Sequence, residues 1–285
     1  MTAADQGRLP RVGEPAYRAP PGAVDCHHHV YDRRFAMVPD AAYRPGDATA
    51  ADYRAFRDRL GFAASVVVQP SVYGFDHGCT LDAVRSLGAS RAVAVIAGDE
   101  SPAALRALGE AGTVGLRLQA VGPTRANLAR LEILAGRAAE QGWHLQLHLD
   151  ADLIVGAAAR LAALDVDLVF DHFGRIPHPD GAAHPAFRAI ADLVARGRTW
   201  VKLSAGYHFT RSGGPDYADV GALTRAFLAL APGRMLWGTD WPHPTETVKP
   251  DVAVLFDRFV EWAGAGVARQ VLVDNPRALY GFDRG

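Results

Sequence analysis

Four histidines and one aspartate carry most of the chemistry available to this sequence. His27 and His29, in the stretch DCHHHVYD that starts at Asp25, are two positions apart. In an extended segment both imidazoles therefore leave one face and His28 leaves the other, where a structural role is expected. Two same-face imidazoles form a chelating pair. A third nitrogen from His148 and a carboxylate from Asp240 would complete a set that suits one divalent ion such as zinc and leaves room for water. His172 would then stand beside that water, off the metal.

Such residues meet only if the elements bring them together. From Val24 onward, short β-branched runs alternate with stretches of helical period. Eight candidate strands begin near Val24, Ser65, Arg91, Thr113, His144, Leu168, Thr199 and Arg234. The intervening helices announce their ends. Thr49 with Asp52 reads as a capping box before a helix stopped by Gly61, and Ser101 followed by Pro102 reads as an N-cap. Leu128, Leu131 and Leu134 before Gly136, and Leu153, Ala157, Leu161 and Leu164, predict two further amphipathic helices. Asp274 and Asn275 before Pro276 read as one more helix start.

Eight βα units predict an α/β protein with a single (β/α)8 TIM barrel spanning 23–285, preceded by an extended proline-rich arm over 1–22. In such a barrel the active site lies at the C-terminal strand ends, and the polar residues gather there. Strand one ends in the histidines, strand two in Gln69, strand four in Arg117 and Gln119, and strand five in His148 and Asp150. Strand six ends in Asp171 and His172, strand seven in Lys202 and Ser204, and strand eight in Thr239 and Asp240. Alternation turns Asp171 away from His172, toward a supporting role behind the site ligands or a contact with a helix. Whether Lys202 faces the lumen depends on register.

Composition removes other classes. Thirty basic against thirty-one acidic residues give a net charge of -1, which leaves no positive field for nucleic acid or anionic lipid. No apolar run approaches the roughly 18–20 residues of a membrane span, and no signal-peptide pattern opens the chain. Two cysteines, Cys26 and Cys79, make neither a disulfide framework nor a metal cluster, and neither has a histidine base beside it. The expected compartment is the cytoplasm. No glycine-rich phosphate loop is present. The arm is suited to lie over the surface or over a neighbouring copy in a homo-oligomer.

The motifs DCHHHVYD, VGLRLQ at Val114, GWHLQLHLD at Gly142, VFDHFGR at Val169, WGTDWPHP at Trp237 and LVDNPRALYGF at Leu272 occur in an order that resembles the amidohydrolase superfamily. The likeness is to its lactonase-type branch, which includes 2-pyrone-4,6-dicarboxylate lactonase and sugar lactonases. It implies a hydrolase in which Asp240 activates water and then protonates the leaving oxygen, with His172 orienting the water or polarising the carbonyl. First principles agree, because a metal lowers the pKa of bound water toward roughly 7 and polarises an ester carbonyl while a carboxylate shuttles the proton.

Two departures from the branch matter. Binuclear members bridge two metals with a strand-four lysine, but Arg117 stands here, so one metal, zinc or manganese, is the ceiling. The pyrone-dicarboxylate enzymes work without metal and carry tyrosine where His148 stands, which tilts this chain toward a metal while leaving a metal-free enzyme open. Arg117 alone aligns with their carboxylate-binding arginines. A substrate with one carboxylate, or a hydroxylated sugar lactone read by Gln69, Tyr73, Tyr207 and His208, follows. Arg117 could instead pair with a buried carboxylate, His148 could be a substrate contact, and His243 could touch substrate or support the loop. The reading is a lactonase, with a metal-independent lactonase, a lactone isomerase and a non-oxidative decarboxylase as alternatives. It requires Asp240 within about 6–7 Å of both imidazoles.

Overall fold

A computed structural model describes residues 9–282 apart from His178. The first eight residues of the expected arm and 283–285 of the expected barrel lie outside the described residues. Eight parallel strands pair in chain order as a (β/α)8 barrel. They are β1 (Val24–His28), β2 (Ala64–Val68), β3 (Ser90–Ala94), β4 (Thr113–Ala120), β5 (His144–Leu149), β6 (Leu168–Phe170), β7 (Thr199–Leu203) and β8 (Met235–Trp237). Valine-rich runs buried on both faces are what parallel strands under a coat of helices need.

The ring closes where first and last strands meet. His29 N donates to Trp241 O at 2.9 Å and Asp240 N donates to His27 O at 2.8 Å. Gly238 makes that approach possible, since a Cβ there would lie 2.7 Å from both the backbone N and the Cβ of His27. The closing bonds involve the residues expected to do chemistry, so ring closure and site assembly are one event.

The capped helices form as their ends require. Thr49 accepts from Asp52 N and Asp52 returns a bond to Thr49 N at the start of α1 (Ala50–Leu60), which Gly61 ends in the left-handed region at φ 87°. Ser101 caps α3 (Pro102–Glu110), which follows α2 (Gly78–Leu87). The helix expected to stop at Gly136 does not: α4 (Leu131–Glu140) runs through it, and Leu128 lies in a preceding 3-10 segment, Gly122–Arg130. Gly136 breaks nothing because only a C-cap requires the left-handed conformation. After α5 (Ala151–Ala162), α6 (Pro185–Ala195), α7 (Ala218–Leu230) and α8 (Val252–Ala263), the chain continues through α9 (Ala265–Arg269) and a π turn into α10 (Asn275–Tyr280). The helix expected to start at Asn275 is thus a continuation, with Asn275 Nδ2 donating to Pro232 O and Met235 O.

The described part of the arm is tied to its own barrel. Gly13 N donates to the Asp251 carboxylate, and Ala16 N and Tyr17 N donate to Asp257 at 2.9 and 3.0 Å. Among the described residues, no helix is long and apolar enough to cross a membrane.

Candidate active site

Asp240 stands at the centre of the strand-end cluster. Its Oδ1 is 3.6 Å from His27 Nε2, 3.7 Å from His29 Nε2 and 3.7 Å from His172 Nε2. The two Nε2 atoms of His27 and His29 are 3.3 Å apart. On the other side, Tyr207 donates its hydroxyl proton to Oδ2, and His243 Nδ1 lies 2.7 Å from that hydroxyl. His208 Nε2 is 3.8 Å from Oδ2, and its Nδ1 is 3.0 Å from Glu246 Oε1.

Each imidazole is aimed by a second partner. His29 Nδ1 donates to Val68 O at 2.7 Å, which leaves its Nε2 with a lone pair toward the cluster. His172 Nδ1 is held 2.9 Å from Ser204 Oγ. His28 points the other way and lies flat on Tyr53 of α1, with ring centroids 3.5 Å apart.

The backbone is bent to make this possible. Asp240, His172 and His243 have φ of 57°, 51° and 55°, and Ala205 beside Ser204 has 54°. Non-glycine residues in the left-handed region each cost on the order of 1–3 kcal/mol and gather at functional sites.

Burial sets the protonation states. It pushes Asp240 up to about 6 against the opposing pull of His208 and the Tyr207 hydrogen bond. Burial drives His27 and His172 well below the ordinary histidine value and His29 down to about 3, so all three are neutral imidazoles. A neutral imidazole can hold a metal or accept a proton.

Below this layer lies a charged floor. Asp171 accepts from Arg117 Nε at 3.0 Å and from Gln146 Nε2 at 3.1 Å, and its Oδ1 is 3.3 Å from His27 Nδ1. Burial opposes its charge, but the Arg117 guanidinium overcomes it and holds the carboxyl well below the usual range. Lys202 is fully buried in the lumen, with burial lowering it to about 8.

The sequence expectations divide accordingly. His27, His29, His172, Asp240, Tyr207, His208 and His243 come together. His148 packs edge-on against His172, ring centroids 5.3 Å apart, but its nitrogens face away from Asp240: its Nδ1 is 3.3 Å from Arg117 Nη2 and its Nε2 is 3.1 Å from Arg175 Nη1. Guanidiniums on both nitrogens leave it no free lone pair for a metal. Arg117 is committed to Asp171, so of its two open roles the structure takes the buried pair.

Gln69 and Tyr73 are corrected. Gln69 is fully buried, donates to Gly74 O and Asp76 O and accepts from Val95 N, so its amide is spent on its own loop and on the end of β3. The Tyr73 hydroxyl is occupied by the backbone of Asp32. Of the two roles open to Asp171, the structure takes support behind the site and not a helix contact, since it faces His27 and Arg117 in the lumen. Arg175, missed from sequence, is anchored by Asp150 at 3.1 Å and flanks His148. Its signal was present in DHFGR, three residues after His172.

Residues 24–282 match the model of the amidohydrolase family. The chain is 34% identical to a 2-pyrone-4,6-dicarboxylate hydrolase from Comamonas testosteroni, over 94% of this chain and 92% of that one. It is 33% identical to a D-galactarolactone isomerase from Agrobacterium fabrum, over 92% and 91% of the two chains. A solved structure from Agrobacterium tumefaciens, crystallised without ligand, superposes with a TM-score of 0.85 at 31% identity, over 95% of this chain and 100% of that one.

Proposed function

The chain belongs to the amidohydrolase family, and from that premise we propose that it hydrolyses a small lactone, with Asp240 moving the proton. The observation that carries this reading is the convergence of the Nε2 atoms of His27, His29 and His172 within 3.7 Å of one Asp240 oxygen. Relatives that hydrolyse a pyrone dicarboxylate or isomerise a sugar-acid lactone support a cyclic ester as substrate.

The donors fit one divalent ion held by His27, His29 and Asp240. Ligands about 2.0–2.2 Å from a shared tetrahedral ion lie roughly 3.3–3.6 Å apart, close to the 3.3, 3.6 and 3.7 Å found between these atoms. When bound, the ion would polarise the lactone carbonyl and lower the pKa of water there.

The protein's residues account for the proton. Asp240 takes it from water as the water oxygen bonds to the carbonyl carbon, and returns it to the ring oxygen as the C–O bond breaks, giving a hydroxy acid. Tyr207 fixes the carboxylate through Oδ2, so the oxygen that would face the ion, Oδ1, is also the one that meets the water proton. His172, steadied by Ser204, orients the water or the carbonyl. Arg175, partly exposed and anchored on Asp150, is a better reader of a substrate carboxylate than the buried Arg117.

A screen of sugar-acid and muconate-type lactones in ¹⁸O water, with metal content measured on the same sample, tests this. We expect one ¹⁸O atom in the product carboxylate and activity that is lost to chelator and restored by zinc or manganese. Lactone turnover without ¹⁸O uptake would favour isomerisation, the reaction in the name of the Agrobacterium fabrum relative. Carbon dioxide release would point to decarboxylation, and full activity without metal would remove the ion from the mechanism.

A further inference from the structure

The proposed reaction leaves Lys202 without a part, although it is fully buried directly beneath the histidine pair. Its ammonium lies 2.6 Å from Gln146 Oε1, 3.4 Å from His27 Nδ1 and 3.8 Å from Asp171 Oδ1. His27 Nδ1 thus faces two neighbours of opposite character. Lys202 can only donate, and the Asp171 carboxylate can only accept. One ring nitrogen satisfies one of them.

The two choices have different consequences at the other end of the ring. With the proton on Nδ1, His27 points it at Asp171 and turns a lone pair from Nε2 toward His29 Nε2, 3.3 Å away. His29 also presents a lone pair there, because its proton is given to Val68 O. Two facing lone pairs repel unless a cation lies between them. With the proton on Nε2, every junction has one donor and one acceptor, from Lys202 to His27, from His27 to His29, and from His29 to Val68 O. This second network is complete without an ion.

The alignment favours the second choice. Lys202 and His27 Nδ1 meet hydrogen-bond geometry, whereas Asp171 Oδ1 is buried and makes no hydrogen bond among the described residues, despite lying 3.3 Å from the same nitrogen. We propose that Lys202 is a positioning residue that holds the His27 proton on Nε2 and thereby sets how tightly the centre takes a divalent cation. An arriving ion must displace that proton to Nδ1, toward Asp171, the partner that a metal-bound histidine ordinarily uses.

The inference rests on His27, His29 and Asp240 being an ion site. Its readouts are a proton position and an ion affinity, neither of which depends on any substrate, so it can fail while the lactonase reading stands. The test uses ¹⁵N spectra of the histidine rings in metal-free protein, and titration with zinc against a competing chelator, at one fixed pH. In the wild type, His27 is expected with its proton on Nε2. Lys202→Met should move it to Nδ1 and tighten zinc binding at least tenfold. A wild-type spectrum with the proton already on Nδ1, or zinc affinity within twofold of wild type in Lys202→Met, would overturn the proposal. The wild-type spectrum requires no variant, so it decides the matter even where Lys202→Met fails to fold.

Discussion

Asp240 concentrates the chemistry in one carboxyl group. Asp240→Asn keeps the shape and removes the base, so kcat should fall by roughly 10²–10⁴-fold with KM within about threefold, measured on whichever lactone the screen identifies. Tyr207→Phe removes the hydroxyl that steadies Oδ2 and should lower kcat by about tenfold, equivalent to one lost charge-assisted hydrogen bond. At this scale the sequence was legible where strand alternation holds. His27 lies in β1 and His29 one residue past its end, where the bond from its N–H to Trp241 O keeps it on the same face. Asp171 takes the supporting role open to it but does not turn away from His172, because alternation ends with β6 at Phe170, and the left-handed turn at His172, φ 51°, lets both neighbours face the lumen. Gln69 and Tyr73 were misread for another reason. The carbonyls and amides that claim them belong to loops whose path no periodicity reports.

Among the elements, the β1–β8 contact controls the site. Gly238→Ala forces a methyl group against His27 backbone and should cost about 1–3 kcal/mol in thermal or denaturant unfolding, with activity falling further than stability because His27 moves relative to Asp240. The segment after β7 has its own fastening, since Asp219 in the first turn of α7 accepts from Thr210 Oγ1, Ser212 Oγ and the amide of Arg211. Burial raises the cost of its charge, but these bonds outweigh that and hold its pKa below the ordinary 3.8. A depressed carboxyl pKa stabilises the fold above the ordinary value and loses that contribution as pH falls through the folded value. Asp219→Asn should therefore lower Tm by a few degrees at pH 7, and the gap to wild type should close progressively below about pH 4. Strand positions were readable throughout because buried parallel strands are short apolar runs. Helix ends were readable only where a cap marked them, at Thr49, Gly61 and Ser101.

Across the molecule, the described arm residues and the barrel are joined by backbone amides donating to Asp251 and Asp257. Asp257→Ala should speed tryptic cleavage at Arg11 and Arg18 and leave kcat unchanged, because the bonds it removes, to Ala16 N and Tyr17 N, involve no residue of the Asp240 cluster. The barrel itself could be read from the order of eight units. Which side chains its interior pairs, Arg117 with Asp171 or Lys202 with His27, could not, because those pairings depend on register around the ring. The bond from Asp240 N to His27 O carries one last consequence. A ribosome that has translated only as far as β7 has already made His27, His29 and His172, yet Asp240, the carboxylate on which their Nε2 atoms converge, is still missing. Competence should switch on abruptly once β8 and its following turn emerge, and two inactive fragments divided between β7 and β8 should regain turnover when mixed.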